Sequence, residues 1–138
     1  MWEESRPMAN TTRAGSYREL VVWQKAFQLC LSVYSTSRKF PDEERFGLTT
    51  EIRKTARSVV YNIAEGQQRH TVGEFKRFLV IARGSQGELE AQLLLAAALE
   101  YLTNERAGDL LEQAREVGRM LFGLERAIGD HQRRLASP

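Results

Sequence analysis

The sequence is short of the residues that would commit it to several classes of protein. Its 138 residues include one cysteine, Cys30, so no intramolecular disulfide is available and a disulfide-stapled secreted fold is excluded. The two histidines, His70 and His131, stand in neither an HExxH nor a CxxC setting, so no metal site and no cofactor are expected. Proline occurs only at positions 7, 41 and 138. The longest apolar run, Leu93–Leu99, has seven residues, far below the roughly 20 that a spanning helix needs. The first 16 residues are polar and lack the apolar stretch of a secretion signal. A cytoplasmic protein without a membrane partner is expected. Nor is there an excess of one charge: 20 basic against 18 acidic residues leave a formal +2, too little to announce nucleic acid by itself.

What is present is helical periodicity. Residues 1–16 carry none and read as a flexible arm. From Glu19 to Lys39, Val22, Ala26, Leu29 and Val33 form one apolar stripe, and Trp23, Phe27, Cys30 and Tyr34 form a second beside it. Phe40-Pro41 ends that helix, since the residue before proline is pushed out of the α region. A second helix runs from about Glu44 to Glu65 on Leu48, Ile52, Ala56, Val59 and Ile63, with Gly66 as a left-handed cap. Thr71 and Glu74 have capping-box spacing at the head of a third helix, which reaches about Tyr101 on Phe75, Phe78, Leu79, Ala82, Gln86, Leu89, Leu93, Ala96 and Ala97. Thr103 or Asn104 caps a fourth on Leu110, Ala114, Val117, Leu121, Leu124 and Ile128, ended by Gly129. The expected fold is an all-α, antiparallel up-down four-helix bundle over 17–130, followed by a loose tail at 131–138, because short loops force neighbouring helices to oppose.

No catalytic constellation accompanies these helices. Cys30 lies on an apolar face and reads as a small buried hydrophobe. Gly84-Ser85-Gln86-Gly87 lacks the lysine of a phosphate loop and sits in mid-helix, where glycine suggests close helix approach. Ser58, Asn62 and Glu65 flank the core stripe of the second helix, and Ser85, Glu88 and Gln92 that of the third. They read as an inter-helix polar network that fixes register, with Glu65 or Glu88 as a catalytic base the competing reading. No catalytic residues and no small-molecule substrate are expected.

Charge and apolar surface are unevenly placed. Residues 44–83 hold eight basic and four acidic side chains, and residues 84–130 hold four and nine. Arg53, Lys54, Arg57, Arg69, Lys76 and Arg77 are the candidate contacts to phosphate backbones; an ordinary solvated helix face is the alternative. The apolar run at 93–99 covers every side of its helix, so Leu94 and Leu95 fall off the core stripe. With Trp23, Phe27 and Tyr34 they are the expected homo-oligomer interface.

Several spaced motifs fit one family. Tyr17 to Ala26 (YRELVVWQKA), Phe40-Pro41 with Glu44 and Gly47-Leu48, Ser58 with Asn62-Ile-Ala-Glu-Gly66, Glu74-Phe75 with Arg77-Phe78-Leu79, and Ala82 with Gly84-Ser85 and Glu88-Leu89 together resemble the four helix bundle proteins encoded in intervening sequences of bacterial 23S rRNA genes. The resemblance spans about residues 17–128. It implies a four-helix bundle, a five-fold ring, and no established enzymatic activity. A more distant relative, the accessory protein of diversity-generating retroelements, is a basic pentamer that binds nucleic acid and a reverse transcriptase; the nearly balanced charge here departs from it. The expected function is a non-enzymatic homo-oligomer, a pentamer, that binds RNA or an RNA-bound protein, with a pure protein scaffold as the alternative.

Overall fold

The computed structural model describes residues 15–136; the arm read at 1–16 lies almost entirely outside them. A 3-10 turn at Tyr17–Glu19 leads into α1, Val21–Ser37, and a second at Asp42–Glu44 leads into α2, Leu48–Gln67. Helix α3 spans Val72–Ala98 and α4 spans Asn104–Ala136. No strand occurs among the described residues.

The helices close into a ring of neighbours in which α1 packs on α2 and α4, and α3 packs on α2 and α4, with no close backbone approach across either diagonal among the described residues. Side-chain pairings give each register. Ser58 meets Ser85 while Gly66, further along α2, meets Phe78 and Phe75. Arg83 meets Glu125 while Gly73 meets Gln132. Tyr34 meets Arg57 and Ser37 meets Arg53; Thr36 meets Arg106 and Lys25 meets Glu116. In every pair the residue number rises along one helix as it falls along the other. The core is made by the expected stripes, with Phe75, Leu79, Ile52, Ile63, Leu89, Leu93, Leu110 and Leu121 all fully buried.

The helix ends are set by side chains. Thr71 Oγ1 accepts the Glu74 N–H at 3.1 Å, and Thr103 Oγ1 accepts the Arg106 N–H at 3.1 Å, each satisfying one of the amides a helix leaves free at its start. At the head of α2, Glu44 Oε1 accepts the Leu48 N–H at 2.9 Å while its Oε2 accepts the Tyr101 hydroxyl at 2.6 Å, tying the α1–α2 turn to the α3–α4 turn. A β-carbon on Gly47 would lie 2.6 Å from Glu44 Oε1, so glycine makes room for that carboxylate. The α3 terminus is a Schellman motif: Tyr101 N–H bonds the Ala96 carbonyl and Glu100 N–H the Ala97 carbonyl, with Glu100 at φ 66°. A left-handed glutamate is strained where glycine is not, so Glu100→Gly should stabilise the chain by about 1 kcal/mol in a urea titration. A loss of stability would refute that reading of the turn.

The Glu44–Tyr101 bond also carries a pH dependence. The Tyr101 hydroxyl, helped by the Leu48 amide, holds the Glu44 carboxyl below its usual range, and the Glu44 carboxylate pushes the Tyr101 phenol up to about 12. Glu44 therefore contributes stability at pH above its unfolded value of about 4.3, lost as pH falls through the lower folded one. Tyr101 contributes below its unfolded value of about 10, and the contribution is lost as pH rises through the folded one. Tyr101→Phe should flatten both limbs of a midpoint-versus-pH curve; an unchanged acid limb would show that this bond does not carry it.

Two expected ends differ. Gly66 is no left-handed cap, since no described glycine has positive φ; it is buried inside α2, facing Phe75 and Phe78. Gly129 does not end α4, which continues to Ala136 and makes helix of residues 131–136, read from sequence as tail.

Candidate nucleic-acid interface

The six candidate cations fall into two groups, about 18 Å apart along α2. Arg53 and Arg57 reach back to α1. Arg53 Nε donates to Ser37 Oγ at 2.7 Å, its Nη2 donates to the Tyr34 carbonyl at 3.3 Å, and its guanidinium lies 4.8 Å from the Tyr34 ring centre. Arg57 Nη1 donates to Tyr34 Oη at 2.7 Å, which raises the arginine's already high pKa. These two arginines fasten α2 to the last turn of α1 through three hydrogen bonds to Tyr34 and Ser37. Lys54, between them, is exposed.

The second group surrounds the α2–α3 junction. Beyond Gln67, Gln68 and Arg69 N–H groups bond the Glu65 and Gly66 carbonyls, turning Arg69 toward α3. Its guanidinium lies 4.9 Å from the ring centre of half-buried Phe78, and that of Arg77 lies 4.6 Å from it. Glu65 pairs with Arg69 at 3.1 Å and Glu74 with Arg77 at 3.5 Å, both on the surface. Such pairs are weak and exchange readily for other anions. Lys76 has no carboxylate within 4.0 Å among the described residues. Arg133 and Arg134, on the last turn of α4 rather than in a loose tail, add charge beside this group.

Of the expected polar network, half forms. Ser58 Oγ and Ser85 Oγ are 2.8 Å apart, and Asn62 Nδ2 donates to the Ser58 carbonyl at 2.8 Å and to its Oγ at 3.1 Å. Glu65 and Glu88 are exposed and outside it, and Gln92 Oε1 is buried without a hydrogen-bond partner. A different polar chain crosses α3 to α4: Gln86 Nε2 donates to Glu90, whose Oε1 accepts from Arg115 Nε at 3.3 Å. Buried Gln86 lies flat on Gly118, where a β-carbon would meet its amide at 2.6–2.9 Å. The pairing of Gln86 with a glycine 32 positions on had no local signal in the sequence.

The proposed interface residues also divide. Trp23 is core rather than surface: it stacks on Phe27 at 4.9 Å and is covered by Tyr17 at 5.1 Å, because the 3-10 turn folds back over α1. Phe27 and Tyr34 are half-buried, Tyr34 beneath the two arginines. Leu94 and Leu95 are 53% and 50% exposed, as expected. They belong to a longer exposed face of α3 that includes Val80, Ile81, Gly84, Gly87 and Ala91. Among the described residues nothing comes within 4 Å of a β-carbon at Gly84 or Gly87, so these glycines serve no close approach between the four helices.

Elsewhere, Cys30 is buried and its thiol pKa is raised by that burial, against a smaller opposing effect of Arg57. His70 and His131 are exposed. A cleft of about 460 Å³ at the other end of the bundle is lined by Ser35, Thr36, Lys39, Tyr101, Leu102, Thr103 and Arg106, without Glu65 or Glu88. Among the described residues no His, Cys, Asp and Glu cluster could hold a metal, and no helix is long and apolar enough to cross a membrane.

The family model described as 23S rRNA-intervening sequence protein matches residues 18–123. No curated protein matches the chain. The chain is similar to a solved protein of unknown function from the S23 ribosomal protein family of Bacteroides thetaiotaomicron VPI-5482, with a TM-score of 0.71 at 24% identity, over 76% of this chain and 98% of that one. At that identity the likeness shows the fold.

Proposed function

This chain belongs to the 23S rRNA-intervening sequence protein family, and from that premise we propose that it is a non-enzymatic homo-oligomer, a pentamer, that binds RNA. The observation that carries the reading is the uncovered face of α3. Val80, Gly84, Gly87, Ala91, Leu94 and Leu95 recur at steps of about one helical turn and are all exposed. Apolar side chains beside bare glycines let a second backbone approach closely, and contiguous apolar faces of this kind mark subunit contacts. Phosphate contact is assigned to Arg69, Lys76 and Arg77 with exposed Lys54, while Arg53 and Arg57 hold the α1–α2 pairing. Support comes from the two guanidiniums on Phe78, whose carboxylate partners among the described residues, Glu65 and Glu74, lie on the surface.

The test is light scattering on a size-exclusion column, recording absorbance at 260 and 280 nm on protein purified without nuclease. Five chains with excess 260 nm absorbance are expected. Leu94→Glu/Leu95→Glu should give single chains with unchanged helix content. Arg69→Glu/Arg77→Glu should keep the ring and lose the nucleic acid. RNA affinity should fall with salt at a log–log slope of about −0.7 per strand phosphate neutralised. A wild-type monomer would remove the assembly reading, and a ring with a clean protein spectrum at every salt would favour a protein scaffold.

A further inference from the structure

We infer that the groove between the start of α3 and the end of α4 is a phosphate-binding site, formed by Lys76, Arg133 and Gln132 over two glycines. Glycine inside a helix weakens it relative to alanine, so Gly129, buried about two turns before the end of α4, asks for a reason. The β-carbon it lacks would lie 3.4 Å from Lys76 Nζ and 3.8 Å from Arg133 Nη1, and near nothing else outside its own helix backbone. One turn back along α3, the β-carbon that Gly73 lacks would lie 3.5 Å from Gln132 Nε2. Gly73 and Lys76 share a face of α3, and Gly129, Gln132 and Arg133 share a face of α4, so the three nitrogens line one groove.

All three nitrogens are donors, and they are uncommitted. Asp130 engages the other guanidinium nitrogen of Arg133, Nη2, and leaves Nη1 toward Gly129. Lys76 Nζ and Gln132 Nε2 have no hydrogen-bond or ion-pair partner among the described residues. Two cations directed at one point repel unless an anion sits between them, and Asp130 offsets only one charge. A phosphate group supplies that anion. Its oxygens can accept from an ammonium and a guanidinium together at about 2.7–2.9 Å, and from the glutamine amide beside them. Gly73, His131 and Arg133 are exposed, so the groove is open to a ligand longer than one phosphate. Its assignment to the phosphodiesters of an RNA strand rests on the proposed function.

Two experiments on the full chain separate the site from the RNA reading. The first titrates inorganic phosphate at constant ionic strength against chloride and follows the thermal midpoint. Wild type should gain a saturable increment, since a ligand that binds only the folded chain raises its stability. Lys76→Gln/Arg133→Gln should show none. Gly129→Ala should start from a higher midpoint, because alanine favours helix, and yet lose most of the increment as its methyl group enters the site. Equal increments in all three proteins would overturn the site, as a general salting effect. The second measures RNA affinity against salt. The double variant should lower the magnitude of the log–log slope by about 0.7. RNA binding with an unchanged slope would overturn the assignment while leaving the RNA reading intact. A saturable phosphate increment in a protein that binds no RNA would keep the site and remove the RNA reading.

Discussion

Gly66→Ala should lower the stability of the chain by about 2 kcal/mol and its thermal midpoint by roughly 8 °C. The new β-carbon would meet Phe78 Cβ at 2.7 Å and Phe75 Cδ1 and carbonyl oxygen at 3.2 Å. Phe78 Cβ and the Phe75 carbonyl are fixed to the α3 backbone and cannot swing away as the tip of a long side chain could. The α2–α3 pair must therefore separate by several tenths of an ångström, at the place where Phe75 and Ile63 fill the core. Overpacking of this kind costs about 1–3 kcal/mol, and the better helix propensity of alanine returns only part of it so near the end of α2. Gly123→Ala is the control: its β-carbon would have nothing within 4 Å, so the same substitution should stabilise by up to about 1 kcal/mol. Equal effects at the two positions in thermal denaturation would mean that Gly66 is not in close contact with α3.

The second large effect is expected from Arg83→Met, a loss of about 2 kcal/mol. Arg83 Nε and Nη2 donate to the two Glu125 oxygens at 2.6 and 3.0 Å, a bidentate pair between α3 and α4. The Glu125 side chain is 7% exposed and that of Arg83 41%. Removing the arginine strands a carboxylate that is nearly out of water. A wholly buried pair broken in this way loses about 3–5 kcal/mol; here water can enter where the exposed guanidinium stood, which reduces the cost. Arg83→Met/Glu125→Leu should recover most of the loss, since apolar replacement of both partners removes the stranded charge as well as the bond. A double-mutant cycle by urea denaturation measures the coupling. If Arg83→Met were neutral, or the double variant worse than the single one, Glu125 would not depend on Arg83.

The arginine pairs show why the candidate interface was only half legible. Arg53, Lys54, Arg57, Arg69, Lys76 and Arg77 look alike in the sequence, as cations on or near one amphipathic helix. Whether each donates to water, to an acid or to a neighbouring helix depends on partners many positions away. Tyr34 and Ser37 take up Arg53 and Arg57 because α1 ends beside the first half of α2. The same holds for Trp23: its period puts it on a second apolar stripe, and the fold-back of Tyr17 packs a ring against it.

The sequence by itself determined the four helices, their core stripes and two of their caps. Those properties follow from spacing along one chain: apolar residues every three or four positions bury one face, and Thr71 and Thr103 each reach the amide three residues on. It also determined that Leu94 and Leu95 could not both be covered, since a helix in a bundle of four has one side left over. Tertiary structure alone decided what the glycines are for. Gly66 admits Phe78 and Gly118 admits Gln86, Gly129 lies beside Lys76 and Arg133, and Gly84 and Gly87 face open space. A glycine carries no side chain from which a partner can be read, so its meaning lies in the register of the helix opposite, and register is fixed only when the whole core packs.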